Sequence, residues 1–117
     1  GFVSEADLVA LMTSADVLVV PSIYEPFGIV ALEGMATGVP VVASQVGGLA
    51  EVIEHDRTGI FVYPRNPGSI AWGVDRVLSN PEHARWLIQN AREILHKTYS
   101  WEAVAMRTAE VYKGVVG

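Results

Sequence analysis

The chain has 117 residues, of which 50% are hydrophobic and 18% charged, with no cysteine and a formal net charge of −5. That length suits one domain with a modest core, and the apolar content excludes disorder as the default state. The acidic balance gives no footing for a nucleic-acid partner, and the missing cysteines exclude disulfides and thiolate metal sites.

Short apolar runs, none long enough for a membrane span, and the absence of a secretory pattern lead to the expectation of a soluble cytoplasmic domain. Ser4 and Asp7 resemble a capping box ahead of Leu8, Leu11, Met12 and Ala15 at helical spacing. VLVVPS (17–22) then reads as a strand. Pro26 to Thr37 reads as a helix with Pro26 at its first position and Gly38 and Pro40 as its stop. VPVVAS (39–44) is the second strand. GGLAEVIE (47–54) gives one short helix, HDRTG a turn, and TGIFVYP (58–64) the third strand.

From residue 66 to 117 only helical signals remain. Asn66-Pro67 and Asn80-Pro81 each place a capping side chain before a proline suited to the first helical position. Ser100 caps a last helix whose apolar face is Trp101, Val104, Ala105, Ala109 and Tyr112. Uncharged, β-branched strands alternating with helices predict an α/β fold: a three-stranded parallel sheet with flanking helices. The run at 17–22 carries no charge or bulge signal to protect an edge, so it is expected to meet a neighbouring strand or to self-associate.

Ligands of open parallel sheets bind beyond the carboxyl ends of the strands, where a loop enters a helix. VLVVPSIYEPFGIV is such a junction, and the free donors expected there are the amides of Phe27, Gly28, Ile29 and Val30. An anion is attracted to that end, so a carboxylate at Glu25 competes with a phosphate unless it turns toward a neutral, donor-rich group such as a sugar. Glu33, two turns along on the same face as Pro26, can accept from a second diol. Both glutamates equally suit ordinary helix decoration, and their spacing alone does not separate the two. His55, His83 and His96 lack the paired spacing of metal ligands and read as surface residues, while Trp72, Trp86 and Trp101 read as packing.

The stretch ADVLVVPSIYEPFGIVALEGMATGVPVVAS, followed by VGGLAEVI, TGIFVYPRNP and YSWEAVAMRTAEVY, resembles the family-4 retaining glycosyltransferases of the GT-B fold, with their Glu-x7-Glu signature. The resemblance covers essentially the whole chain. It implies that Glu25 contacts the donor sugar near its anomeric centre and that the amides of Phe27, Gly28, Ile29 and Val30 hold sugar and diphosphate. It implies that Glu33 accepts from the ribose, that Gly47 and Gly48 line the donor side of the cleft, and that Phe2 or Val3 falls near the base. It further implies a hexosyltransferase using a nucleotide-diphosphate sugar as substrate, with neither metal nor cofactor.

The family's donor-binding domain opens with a glycine-rich turn and an Arg/Lys pair that neutralises the diphosphate, and an N-terminal acceptor domain completes its active site. No such segment is found here. The resemblance therefore implies that residues 1–117 are the second half of the donor domain, supplying strands four to six of a 3-2-1-4-5-6 order. Its partners are then the missing half-domain and the acceptor domain, and the chain alone is expected to be inactive. Two other functions stay open: a structural half-domain that self-associates or docks, and a flavodoxin-like nucleotide- or effector-binding module without transfer chemistry.

Overall fold

In a computed structural model of the chain, residues 5–98 are described. Three strands form one parallel sheet in the order β1-β2-β3: β1 is Leu18–Val20, β2 Val41–Ser44 and β3 Ile60–Val62. Each lies inside its expected run. Leu18 pairs with Val41 and Val20 with Ala43, while Val42 pairs with Ile60 and Ser44 with Val62. The central strand is buried along its whole length, as a strand covered on both faces requires.

Alternation along the strands sends side chains into two cores. Val20, Val41 and Ala43 pack with Ala31 and Met35 of α2 (Ile29–Thr37) and with Leu49 and Val52 of α3 (Gly47–Val52). Val42, Ile60 and Val62 pack with Val77 of α4 (Pro67–Leu78) and Leu87 of α5 (Pro81–Lys97). α4 reaches the sheet through Gly73, where a Cβ would stand 2.6 Å from Val62 Cγ1. The first helix, α1 (Glu5–Ser14), packs mainly on α2. Of its expected apolar stripe Met12 is buried, but Leu11 and Ala15 are exposed among the described residues.

The helix ends follow local chemistry. Gly38 closes α2, its amide donating to the carbonyls of Gly34 and Met35 at 3.1 and 3.3 Å. Asn66 accepts from the Ser69 amide at 2.9 Å and Asn80 from the His83 amide at 3.2 Å, each ahead of a first-position proline. The expected cap at Ser4, the segment with Phe2 and Val3, and the last helix from Ser100 lie outside the described residues.

The two edges of the sheet differ. On β3 the outward amides are capped by side chains: Phe61 donates to His55 Nδ1 and Tyr63 to Ser69 Oγ, both at 2.9 Å. On β1, Leu18 donates to Pro40 of the β2 side, so strand alternation turns the peptide groups of Val19 away from the sheet. No side-chain cap among the described residues meets them. Among the described residues the outward amides of one edge are capped and those of the other are not.

The turn before β3 is fastened by charge. Asp56 adopts a left-handed backbone, φ 61°, and its carboxylate accepts from Arg76 Nε at 3.2 Å and from the Arg76 terminal nitrogen at 2.6 Å. His83 Nε2 lies 2.7 Å from the same carboxylate, so the HDRTG turn is tied to the end of α4 and the start of α5. The Arg76 hydrogen bonds, helped by His83 and opposed by partial burial, hold the Asp56 carboxyl below the usual carboxylate range. A depressed folded-state pKa stabilises the fold at neutral pH, and that contribution is lost as the pH falls below about 4. Asp56→Asn keeps a side chain tolerant of the left-handed region and removes the charge, and it should cost about 1 kcal/mol in urea unfolding at pH 7. The gap to the unsubstituted chain should close near pH 3, and Asp56→Ala should cost more at both pH values.

Candidate functional site

The loop from β1 to α2 holds the glutamate and amides expected to bind a ligand. The helix begins at Ile29, three residues later than expected, with Gly28 as its N-cap at φ 66° and ψ 22°. A left-handed residue cannot continue a right-handed helix, so Pro26 and Phe27 stay in the loop. The cause lies 20 residues away in sequence. A Cβ at Gly28 would stand 2.9 Å from the Gly48 carbonyl oxygen and 3.0 Å from Val52 Cγ2, because the loop is pressed onto the start of α3.

This start changes the inventory of donors. Glu25 Oε1 accepts from the Gly28 amide at 3.2 Å, so that amide is occupied, and Phe27 lies outside the helix. Leu32 makes the first intrahelical bond, to the Gly28 carbonyl at 3.2 Å. The open first-turn donors are therefore Ile29, Val30 and Ala31, and no side chain caps them. Glu33 stands one turn into α2, about 6 Å along the axis from Ile29, instead of the two turns expected. It is half-buried, lies on the side of α2 away from the Ala31–Met35 core stripe, and forms no hydrogen bond or ion pair with another described residue.

Gly47 is exposed and Gly48 buried, and both lie against the main chain of the loop from β1 to α2. The Gly48 amide donates to the Glu25 carbonyl at 2.7 Å, and a Cβ at Gly48 would meet the Phe27 carbonyl carbon at 2.5 Å and the Gly28 nitrogen at 2.7 Å. A Cβ at Gly47 would run into the Glu25 carbonyl oxygen. The two loops at the carboxyl ends of β1 and β2 are in main-chain contact.

Around that contact the surface is apolar and exposed. Ile23, Tyr24, Phe27, Ile29 and Val30 all stand out to solvent, Tyr24 at 80%. These apolar side chains, from the β1–α2 loop and the first turn of α2, form one patch among the described residues. Sequence reasoning missed a further polar group at this end of the sheet. Ser44, the last residue of β2, is fully buried, and its hydroxyl has no partner among the described residues; its only signal was a polar residue closing an apolar run.

Of the histidines read as surface residues, His55 and His96 are exposed and His83 is half-buried, and two of them also make structural contacts. His55 caps β3 and stacks on Phe61 and Trp72, and His83 holds Asp56 and stacks on Trp86. A groove of about 430 Å³ runs along α5, lined by Arg85, Ile88, Gln89, Arg92, Glu93 and His96, away from the strand ends. Among the described residues no cluster of His, Asp and Glu is placed to hold a metal ion, and no helix is long and apolar enough to cross a membrane.

Comparison with known proteins places this geometry. The chain is 57% identical over 113 residues to a glycosyltransferase of Methanocaldococcus jannaschii, covering 97% of this chain and 29% of that protein. It is 42% identical over 112 residues to the glycogen synthase of Mycobacterium tuberculosis, covering 96% of this chain and 27% of that one. The chain thus spans less than a third of the length of these relatives. Among solved structures, sucrose-phosphate synthase from Thermosynechococcus elongatus superposes with a TM-score of 0.81 at 41% identity, over 99% of this chain and 30% of that one. HepE from Anabaena, in complex with UDP-glucose, gives 0.83 at 27% identity over 97% of this chain and 31% of that one. Residues 1–94 match the family described as glycosyl transferases group 1, and to that family the chain belongs.

Proposed function

We propose that the chain forms the donor-side part of a retaining hexosyltransferase of the family-4, GT-B type, with Glu25 and Glu33 as its Glu-x7-Glu pair. It binds a nucleoside-diphosphate sugar beyond the carboxyl ends of β1 and β2. The observation that carries this is the entry to α2: a carboxylate parked on the Gly28 amide, uncapped amides at Ile29 and Val30, and a second carboxylate one turn in. Structural neighbours that hold UDP and UDP-glucose support it.

The roles follow from charge. The diphosphate takes the first-turn amides, where the helix dipole favours an anion. Glu25 cannot share that end with a phosphate, so it leaves the Gly28 amide and accepts from the sugar hydroxyls instead. Glu33 accepts from the ribose diol. In the transfer the bond from the anomeric carbon to the diphosphate oxygen breaks, a bond to an acceptor hydroxyl oxygen forms with the same anomeric configuration, and the hydroxyl proton passes to the departing diphosphate. Amides already aimed at the departing phosphate meet the charge that develops on it. The family's Arg/Lys pair adds to that stabilisation, and in this scheme no metal takes part.

Each charge-assisted hydrogen bond contributes roughly 1.5–3 kcal/mol, about ten- to a hundredfold in affinity. Titration with UDP-glucose should move the amide resonances of Gly28 to Val30 and Glu33 and leave the α5 groove unchanged. Glu25→Gln should weaken UDP-glucose at least tenfold while sparing UDP, and Glu33→Gln should weaken both ligands alike. Shifts confined to α5 would sink the assignment. The 117-residue chain alone should form no glycoside product above a Glu25→Ala control, because the Arg/Lys pair and the acceptor side lie outside the motifs it carries.

The open edge of β1 favours a second activity, pairing with another strand. Since β3 is capped and β1 is not, self-association should run through residues 17–22. Sedimentation should show a dimer at high concentration that Val19→Pro abolishes. A monomer at every concentration tells against it.

A further inference from the structure

We infer that Gly47 and Gly48 are positioning residues that set the main chain of Glu25 and so aim its carboxylate, in place of the direct donor contact implied by the family resemblance. This rests on the proposed donor site. The Gly48 amide is already spent on the Glu25 carbonyl at 2.7 Å, so it has no proton left for a phosphate or a sugar. Gly48 is buried, and its α-carbon faces the Phe27–Gly28 peptide so closely that any side chain would push that peptide away. Gly47, at φ 46°, turns the chain while its α-carbon sits under the Glu25 carbonyl oxygen.

The contact is reciprocal. Gly28, which starts α2, has no room for a side chain against the Gly48 carbonyl. Two loops from adjacent strands are thereby joined through their main chains, and the Glu25 side chain moves on that base. The device works as a fixed pivot: the carboxylate rests on the Gly28 amide without ligand and swings to the sugar with it. A side chain at residue 48 would lift residues 25–28, displacing Glu25 and the Gly28 cap together, so the sugar contact is lost along with the resting one.

Amide hydrogen exchange and shift mapping on the unsubstituted chain test this directly. Without ligand the Gly48 amide should exchange far more slowly than those of Ile29 and Val30. On adding UDP-glucose it should shift less than theirs. A freely exchanging Gly48 amide, or one that shifts most on binding, overturns the inference. Gly48→Ala should lower UDP-glucose affinity at least tenfold, no less than Glu25→Ala does, and should weaken UDP as well, because the Gly28 cap that sets the first-turn amides shifts too. The double substitution should then be no more than about twofold worse than Gly48→Ala alone, whereas losses that multiply would mean an independent donor contact at Gly48. Should the unsubstituted chain bind no UDP-glucose, the proposed donor site fails, yet slow Gly48 exchange with ligand-free shifts at residues 25–28 in Gly48→Ala would still uphold the positioning role. Free exchange would overturn it in either case.

Discussion

The main chain of Glu25 to Gly28 lies directly on Gly47 and Gly48, joined by the hydrogen bond from the Gly48 amide to the Glu25 carbonyl. That contact decides where α2 can begin, because it holds Gly28 in a conformation that no helix interior adopts. It thereby decides which amides are open at the carboxyl edge of the sheet, and how deep along the helix Glu33 stands. Side chains at residues 28, 47 or 48 would separate two loops that parallel strands bring together. The sheet supplies the proximity; the three glycines permit the touch.

The rest of the domain keeps those loops still. β2 is buried on both faces, with α2 and α3 over one and α4 over the other, while α5 reaches both cores through Ala91 and Leu87. Gly73 brings α4 down onto Val42 and Val62. At the opposite end, Asp56 fastens the turn before β3 to Arg76 and His83. The start of α2 and this charged clasp thus sit at opposite ends of the strands, one built from main chain and uncapped amides, the other from side-chain ion pairs.

Much of this was legible because it is local. Three uncharged β-branched runs became three parallel strands, and Asn66, Asn80 and Gly38 delimit helices through hydrogen bonds that reach only three or four residues. The start of α2 was misplaced because Pro26 is a good first residue by local preference, while the contact that moved the boundary comes from Gly48. The Asp56 clasp escaped for the same reason: Arg76 and His83 lie 20 and 27 residues away, and nothing in HDRTG announces them. Isolated histidines carried no spacing signal, yet two of them hold the turn and the edge of β3 in place. Glu25 and Glu33 were visible as a pair, but the resting bond from Glu25 to Gly28 depends on a cap geometry that no residue pattern prints.

The plugging of β3 by an imidazole and a hydroxyl limits what the molecule can become when crowded. A ribbon that offers unpaired peptide groups on both flanks can recruit copies without end, as amyloid does. Among the described residues only the β1 flank lacks such plugs, so the lateral pairing proposed above would end at a single partner instead of growing into fibres.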